Sequence, residues 1–256
     1  MQMVSSADSP TPEASGSAAT PHQTAADGEH PLVVLFAAWM AGSHHAGRAM
    51  LQSGGEPCGV WGRRDHLGKG KNPRVEPTSP LTARLAVVVQ WFMTPREKPI
   101  DLDEGLGRFD GTTQLGLEHP LIRGDVRRLY VLQRELQRKC LSVVLGNLPA
   151  GPRAAFVLRW ILGLTDDQIA EVFGTVEAVK TNGGRALREL RESLTPICEH
   201  IDPGNGCRCR NRLAGAVERG FVTWPDRDDL DGDRPLIGQT HQDVEVLYSK
   251  LPPPPE

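Results

Sequence analysis

The segment of residues 164–194, LTDDQIAEVFGTVEAVKTNGGRALRELRESL, constrains the fold more than any other part of this chain. Thr165 is a good N-cap, and Gln168 three residues later completes a capping box, which predicts that a helix begins here. The two aspartates between them lie in the first turn, where the positive end of the helix dipole favours negative charge. Gly174 is suited to end this helix, because glycine readily adopts the left-handed conformation of a tight turn. The segment therefore predicts a short capped helix followed by a turn.

A second helix is predicted directly after this turn. Its apolar residues recur at helical spacing, namely Val176, Val179, Ala186, Leu187, Leu190 and Leu194. Two helices joined by such a turn form a helix-turn-helix signature. Gly183 and Gly184 lie inside the second helix, and each costs about 1 kcal/mol relative to Ala in a helix interior. We therefore expect the second helix to be weakened.

Residues 147–194 resemble region 4 of bacterial sigma factors, particularly those of the extracytoplasmic-function group. The stretch LPAGPRAAFVLRWILGLTDDQIAEVFG is close to the family pattern, and VKT followed by RALRELRESL resembles the family's recognition helix. The chain has one residue fewer than usual between Gly174 and the Val-Lys pair, and Asn182 and Gly183 replace an Arg and a Leu. The resemblance implies an all-α fold, recognition of the promoter minus-35 element, and core RNA polymerase as a protein partner. It also implies an anti-sigma factor as a regulatory partner.

The residues predicted to contact DNA follow from how a recognition helix docks. Its N-terminal residues reach base edges in the major groove, while basic side chains farther along hold phosphates. The predicted base contacts are Glu177, Lys180, Thr181 and Asn182, and the predicted backbone contacts are Arg185 and Arg188. The alternative is that the arginines and glutamates of this helix form ion pairs on a solvated surface.

A cysteine-rich segment, CEHIDPGNGCRC, follows the second helix. It contains Cys198, His200, Cys207 and Cys209. Three thiols and an imidazole form an adequate tetrahedral zinc set, and the stretch IDPGNG can fold the two short pairs toward each other. Similar tails follow region 4 in some sigma factors of this group, which suggests a structural or metal-sensing element. The alternative is a loop with reduced thiols; Cys58 is too isolated to be included.

Helical spacing predicts further helices over residues 32–51, 81–92, from 121 to about 149, 151–162, 208–221 and 242–251. Cys140 lies within the apolar stripe of the third of these and is predicted to be a small buried hydrophobic residue. The predicted fold is an all-α helix-turn-helix bundle with a disordered N-terminal arm and C-terminal tail. Its parts are the disordered arm (1–30), a partly helical N-terminal region (31–118), a helical linker (119–147), the region 4-like unit (148–196), a Cys/His segment with a helix (197–222), and an acidic, proline-rich tail (223–256).

Region 2, with which sigma factors bind the polymerase and melt the minus-10 element, has no recognisable pattern in residues 31–118. Three explanations stay open: a very divergent domain, a different domain, or a disturbed reading frame. The function predicted from the resemblance is promoter recognition in transcription initiation. The alternatives are a metal- or redox-responsive transcription regulator and a degenerate sigma-like protein without initiation activity.

The charge distribution agrees with a nucleic-acid partner. The net charge is only -3, but residues 120–212 contain 15 basic and 10 acidic residues, so both flanks are negative. No signal peptide is apparent, and the first apolar run, 32–41, is about half the roughly 20 residues that a membrane span needs. A cytoplasmic protein without a membrane partner is expected. No nucleophile–base pair or cofactor motif is recognisable, so we expect a binding protein and not an enzyme.

Overall fold

The computed structural model describes residues 28–52, 75–93, 115–224, 243–251 and 254. Every regular element in these ranges is a helix, which confirms the predicted all-α class for this part of the chain. Several predictions lie outside the described residues: the arm up to residue 27, Cys58, and most of the acidic and proline-rich tail.

Nine helices are found in the described ranges. They are α1 (Pro31–Ala41), α2 (His44–Gln52), α3 (Pro80–Phe92), α4 (Val126–Gly146), α5 (Ala150–Phe156), α6 (Asp166–Phe173), α7 (Val176–Leu194), α8 (Cys209–Glu218) and α9 (Val244–Ser249). A single π-helical turn, Val157–Ile161, continues α5.

The single helix predicted over 32–51 is wrong, because the chain reverses after α1. Gly42 adopts a left-handed conformation with φ 87°, and its N–H donates to the carbonyl of Ala38 at 2.8 Å, which closes α1. α2 then packs back on α1 at Gly47, where an added Cβ would lie 2.6 Å from the backbone nitrogen of Ala38. Two glycines thus turn the predicted helix into a helical hairpin.

The start of α4 also differs from the prediction. The apolar spacing begins at Leu121, but Arg123 and Gly124 adopt positive φ values of 53° and 75°, which a helix does not allow. Asp125 caps the helix instead, and its side chain accepts from the N–H of Arg127 at 2.8 Å. Turn chemistry therefore outweighs the apolar pattern in the first residues.

One hydrophobic core joins most of the helices. It contains buried residues of α1, α3, α5, α6 and α7, the C-terminal half of α4, and α9. A smaller apolar cluster joins the N-terminal half of α4 to α8, through Leu132, Leu136 and Leu213. The N-terminal helices and the segment that resembles region 4 consequently share a core.

α7 is continuous through both of its glycines, so the expected weakening does not appear as a break. Gly183 faces Trp160, whose ring would lie 3.4 Å from an added Cβ. Gly184 faces open space. The Trp160 ring therefore packs beside α7 at Gly183, and neither position lacks room for a methyl group.

Gly184→Ala is therefore expected to stabilise the protein by about 0.5–1 kcal/mol, the helix-interior difference between the two residues. Gly183→Ala should stabilise as well, because its methyl group would lie at ordinary van der Waals distance, 3.4 Å, from the Trp160 ring. Urea unfolding followed by circular dichroism measures both. A destabilised Gly183→Ala variant would contradict this expectation and show that the ring cannot accommodate the methyl group.

Candidate functional site

Hydrogen bonds fix both ends of α6 and the start of α7. The capping box is present: the Thr165 hydroxyl accepts from the Gln168 N–H at 3.3 Å, and the Gln168 side chain accepts from the Thr165 N–H at 2.9 Å. Gly174 has φ 84° and donates to the carbonyl of Ala170 at 2.6 Å. The hydroxyl of Thr175 then caps α7 by accepting from the Ala178 N–H at 3.1 Å. The angle between α6 and α7 is thus set by local chemistry.

α7 has one buried face and one exposed face. The buried face consists of Val179, Gly183, Ala186, Leu190 and Leu194. Five of the six residues predicted to contact DNA are exposed, namely Glu177, Lys180, Thr181, Arg185 and Arg188. The exposed face therefore presents polar and charged side chains over the first half of the helix and beyond.

Asn182, the sixth predicted residue, is turned toward α5. Its side-chain N–H donates to the carbonyl of Ala178 at 2.9 Å, and its oxygen lies 2.8 Å from where a Cβ on Gly151 would be. Glycine at 151 leaves room for this amide at the start of α5. Asn182 is thus half-buried and engaged within the protein.

The arginines of α7 form the ion pairs that the alternative interpretation anticipates. Arg185 donates to Glu189 at 2.6 Å, and Arg188 lies 4.0 Å from Glu192. These pairs join residues four apart on an exposed helix face, where such a pair stabilises by only about 0.3–0.5 kcal/mol. They are weak enough to be exchanged for contacts with a stronger anion.

The segment before α3 contacts the α6–α7 turn, which sequence reasoning missed. Glu171 on α6 accepts from the Thr82 hydroxyl at 2.6 Å and from the N–H and hydroxyl of Thr78 at 2.7 Å each. The N–H of Val75 donates to the carbonyl of Gly174 in the turn at 2.7 Å. No local sequence pattern predicts these contacts, because they join residues about 90 positions apart.

Hydrogen bonds to Thr82, then Thr78, hold the pKa of Glu171 below its ordinary value. A carboxylate with a lowered pKa stabilises the fold above its unfolded pKa and loses that contribution as the pH falls through the folded pKa. We therefore expect Glu171→Gln to make stability less dependent on pH below about 4.5, the ordinary pKa. Urea midpoints measured from neutral pH downward check this. The exposed Glu192→Gln serves as the control and should leave the pH dependence of the wild type unchanged.

The cysteine-rich segment folds back on itself after α7. Cys198 and Cys207 form an isolated parallel β-bridge, in which the Cys207 N–H donates to the carbonyl of Ile197 at 3.2 Å. The Asn205 side chain donates to the carbonyls of Thr195 and Cys198 at 2.7 and 3.0 Å. The stretch IDPGNG thus brings the two short pairs together, as its length predicts.

Three ligand-bearing side chains converge at the start of α8. The Nε2 atom of His200 lies 3.4 Å from the Sγ atom of Cys209, and both residues are buried. A Glu199 oxygen accepts from the Cys209 N–H at 2.6 Å. One ligand atom of each residue lies within 4.8 Å of the other two. This arrangement can hold a metal ion.

The group overlaps the predicted metal set only in part. His200 and Cys209 belong to it, whereas Cys198 and Cys207 lie outside it. Glu199 was not among the predicted ligands, although it stands between Cys198 and His200 and carboxylates are ordinary zinc ligands. Its position between the two candidates was the available signal.

The cluster lies in surroundings that favour neutral groups. Burial raises the pKa of the Cys198 thiol to about 11, raises that of Cys209 well above its ordinary value, and lowers the pKa of His200. Burial and then the neighbouring thiols raise the pKa of Cys140, on α4, to about 12. Without a cation, the imidazole is therefore neutral and the thiols are protonated near pH 7.

No helix in the described part of the chain is both long and apolar enough to cross a membrane. Comparison with models of known protein families, with curated proteins and with solved structures finds no match.

Proposed function

We propose that this protein binds promoter DNA as sigma factors do, with α6 and α7 as its helix-turn-helix and α7 as the recognition helix. The observation that carries this proposal is the two-faced character of α7, which is buried along one side and presents Glu177, Lys180 and Thr181 at its exposed N-terminal end. A recognition helix needs such an end free to enter the major groove. Core RNA polymerase is the proposed protein partner and the minus-35 element the proposed target.

Each exposed side chain has a role that suits its chemistry. Lys180 can donate to guanine, Glu177 can accept from cytosine, and Thr181 can contact either kind of base. Arg185 and Arg188 follow at helical spacing and would neutralise phosphates, exchanging their weak intrahelical pairs for them. Asn182 is the least suited of the predicted residues, because its amide is engaged beside α5.

A regulator that binds promoter DNA without melting it is the second candidate. The observation that favours it is the shared core, in which α1 and α3 pack with α5, α6 and α7. A polymerase-binding module that acts separately from the DNA-reading unit would need its own core. Both candidates act by binding, so we propose no catalytic role.

DNA-binding measurements separate specific from nonspecific contacts. Lys180→Ala is expected to cost about 1–3 kcal/mol on the preferred sequence and to relax selectivity, whereas Arg188→Ala should weaken all sequences alike and reduce the salt slope by about 1. Fluorescence anisotropy against a selected library, at several salt concentrations, checks this. Asn182→Ala should have a smaller effect than Lys180→Ala. Arg127→Ala, which removes an exposed arginine on α4, is the charge-matched control and should change nothing.

Transcription distinguishes the two candidates. Purified core RNA polymerase supplemented with this protein should produce promoter-specific transcripts that Lys180→Ala with Arg185→Ala abolishes. DNA binding without transcripts would favour the regulator. A chain with neither activity would refute the proposal that α7 contacts DNA.

A further inference from the structure

The strongest feature that DNA binding leaves unexplained is the group formed by Glu199, His200 and Cys209. It joins the segment after α7 to the first residue of α8, and α4 packs beside it. A carboxylate, an imidazole and a thiol each lose hydration in a partly buried place and need partners there. Their shared partner can be a cation.

The distance between His200 and Cys209 fits a tetrahedral site. Zinc binds nitrogen at about 2.0–2.1 Å and sulfur at about 2.3 Å, so two such ligands at a tetrahedral angle lie about 3.6 Å apart. The Nε2 and Sγ atoms are already 3.4 Å apart. This is also the distance of a weak imidazole–thiol hydrogen bond, so the third ligand is needed to favour a metal.

Glu199 supplies that third ligand. Its Oε1 atom is held at the start of α8 by the Cys209 N–H, and its Oε2 atom lies 3.4 Å from an Arg208 nitrogen. The carboxylate is therefore aimed at the cysteine that it would share a cation with. The Glu199 side chain is only 14% exposed, so few water molecules compete with a cation for its carboxylate.

Cys140 on α4 packs against the small apolar cluster that contains Cys209. It lies outside the group of three ligand-bearing side chains, as Cys198 and Cys207 do. The fourth position of a tetrahedral site is therefore left for a water molecule.

We propose that Glu199, His200 and Cys209 bind one Zn²⁺ ion, with a water molecule in the fourth position. Binding releases the proton of the Cys209 thiol, because zinc binds the thiolate. One thiolate and one carboxylate balance the two positive charges of the ion.

This site does not depend on DNA binding. It would fasten the segment after α7 to the start of α8, and so stabilise the C-terminal part of the chain whenever metal is present. It shares His200 and Cys209 with the set Cys198, His200, Cys207 and Cys209, but has Glu199 as its third protein ligand. The difference makes the proposal testable ligand by ligand.

The experiment uses the full-length reduced protein, stripped of metal by a chelator, and titrates it with Co²⁺ followed by competing Zn²⁺. We expect one Co²⁺ per chain, the visible absorption of tetrahedral cobalt, and thiolate-to-cobalt charge transfer that Zn²⁺ removes. Cys209→Ser should remove the charge-transfer absorption, because this residue supplies the thiolate. Cys207→Ser is the matched control and should leave the spectrum unchanged.

Glu199→Gln tests the third ligand with little risk to the fold, because the amide oxygen can still accept from the Cys209 N–H. It should weaken Zn²⁺ by at least the roughly 10- to 100-fold that loss of a supporting partner costs. Circular dichroism confirms that each variant is folded. The Lys180→Ala variant should bind metal as the wild type does, so a failure of the DNA proposal leaves this one intact.

Two results would overturn the proposal. One is a folded wild-type protein that takes up neither Co²⁺ nor Zn²⁺. The other is loss of the spectrum in Cys198→Ser and Cys207→Ser while Glu199→Gln binds metal as the wild type does, which would establish the set of three cysteines and one histidine instead.

Discussion

The close approach of α7 to α5 is the packing contact on which the rest of the structure depends. The contact is close where Gly151 at the start of α5 lies against Asn182 on α7, because a Cβ on Gly151 would lie 2.8 Å from the amide oxygen. Tight packing between the two helices fixes the direction of α7. The exposed N-terminal half and the segment that follows the C-terminus are both positioned by this one interface.

The two ends of α7 therefore differ in their exposure and in their contacts. Its N-terminal end is polar and exposed, with a solvated ion pair between Arg185 and Glu189. Its C-terminal end is covered by α9, where Tyr248 is buried, stacks edge-on against Phe156 and donates to the carbonyl of Leu141 at 2.8 Å. An ion pair between Arg191 and Glu245 fastens the same helix. One end is thus left open for a partner, while the other is fixed within the molecule.

Features that are determined by neighbouring residues were predictable from the sequence. Thr165, Gln168 and Gly174 fix α6 and its turn through contacts that span three or four residues, and the structure has all of them. The reversal after α1 was missed because Gly42 interrupts an apolar run that otherwise suits one long helix. The glycine indicated a possible helix end, but the apolar periodicity on both sides of it favoured one continuous helix.

Features that depend on distant residues were not predictable. Glu171 gave no sign of its threonine partners, and no local pattern placed Val75 beside Gly174. Only packing brings these residues together, since loop lengths do not specify which faces meet. The candidate metal group is the opposite case, because Glu199, His200 and Cys209 are close together in the sequence.

The contacts of residues 75–82 have a consequence for how the α6–α7 unit responds to the N-terminal part of the chain. Val75 bonds to the carbonyl of Gly174, the residue that sets the turn, and Thr78 and Thr82 bond to Glu171 one turn earlier. Hydrogen bonds to a charged carboxylate are stronger than neutral ones, and solvent weakens them at an exposed site such as this. Even a modest coupling acts directly on the turn that orients α7. The N-terminal part of the chain is in this way connected to the surface that we propose for DNA, although it has no recognisable region 2 pattern.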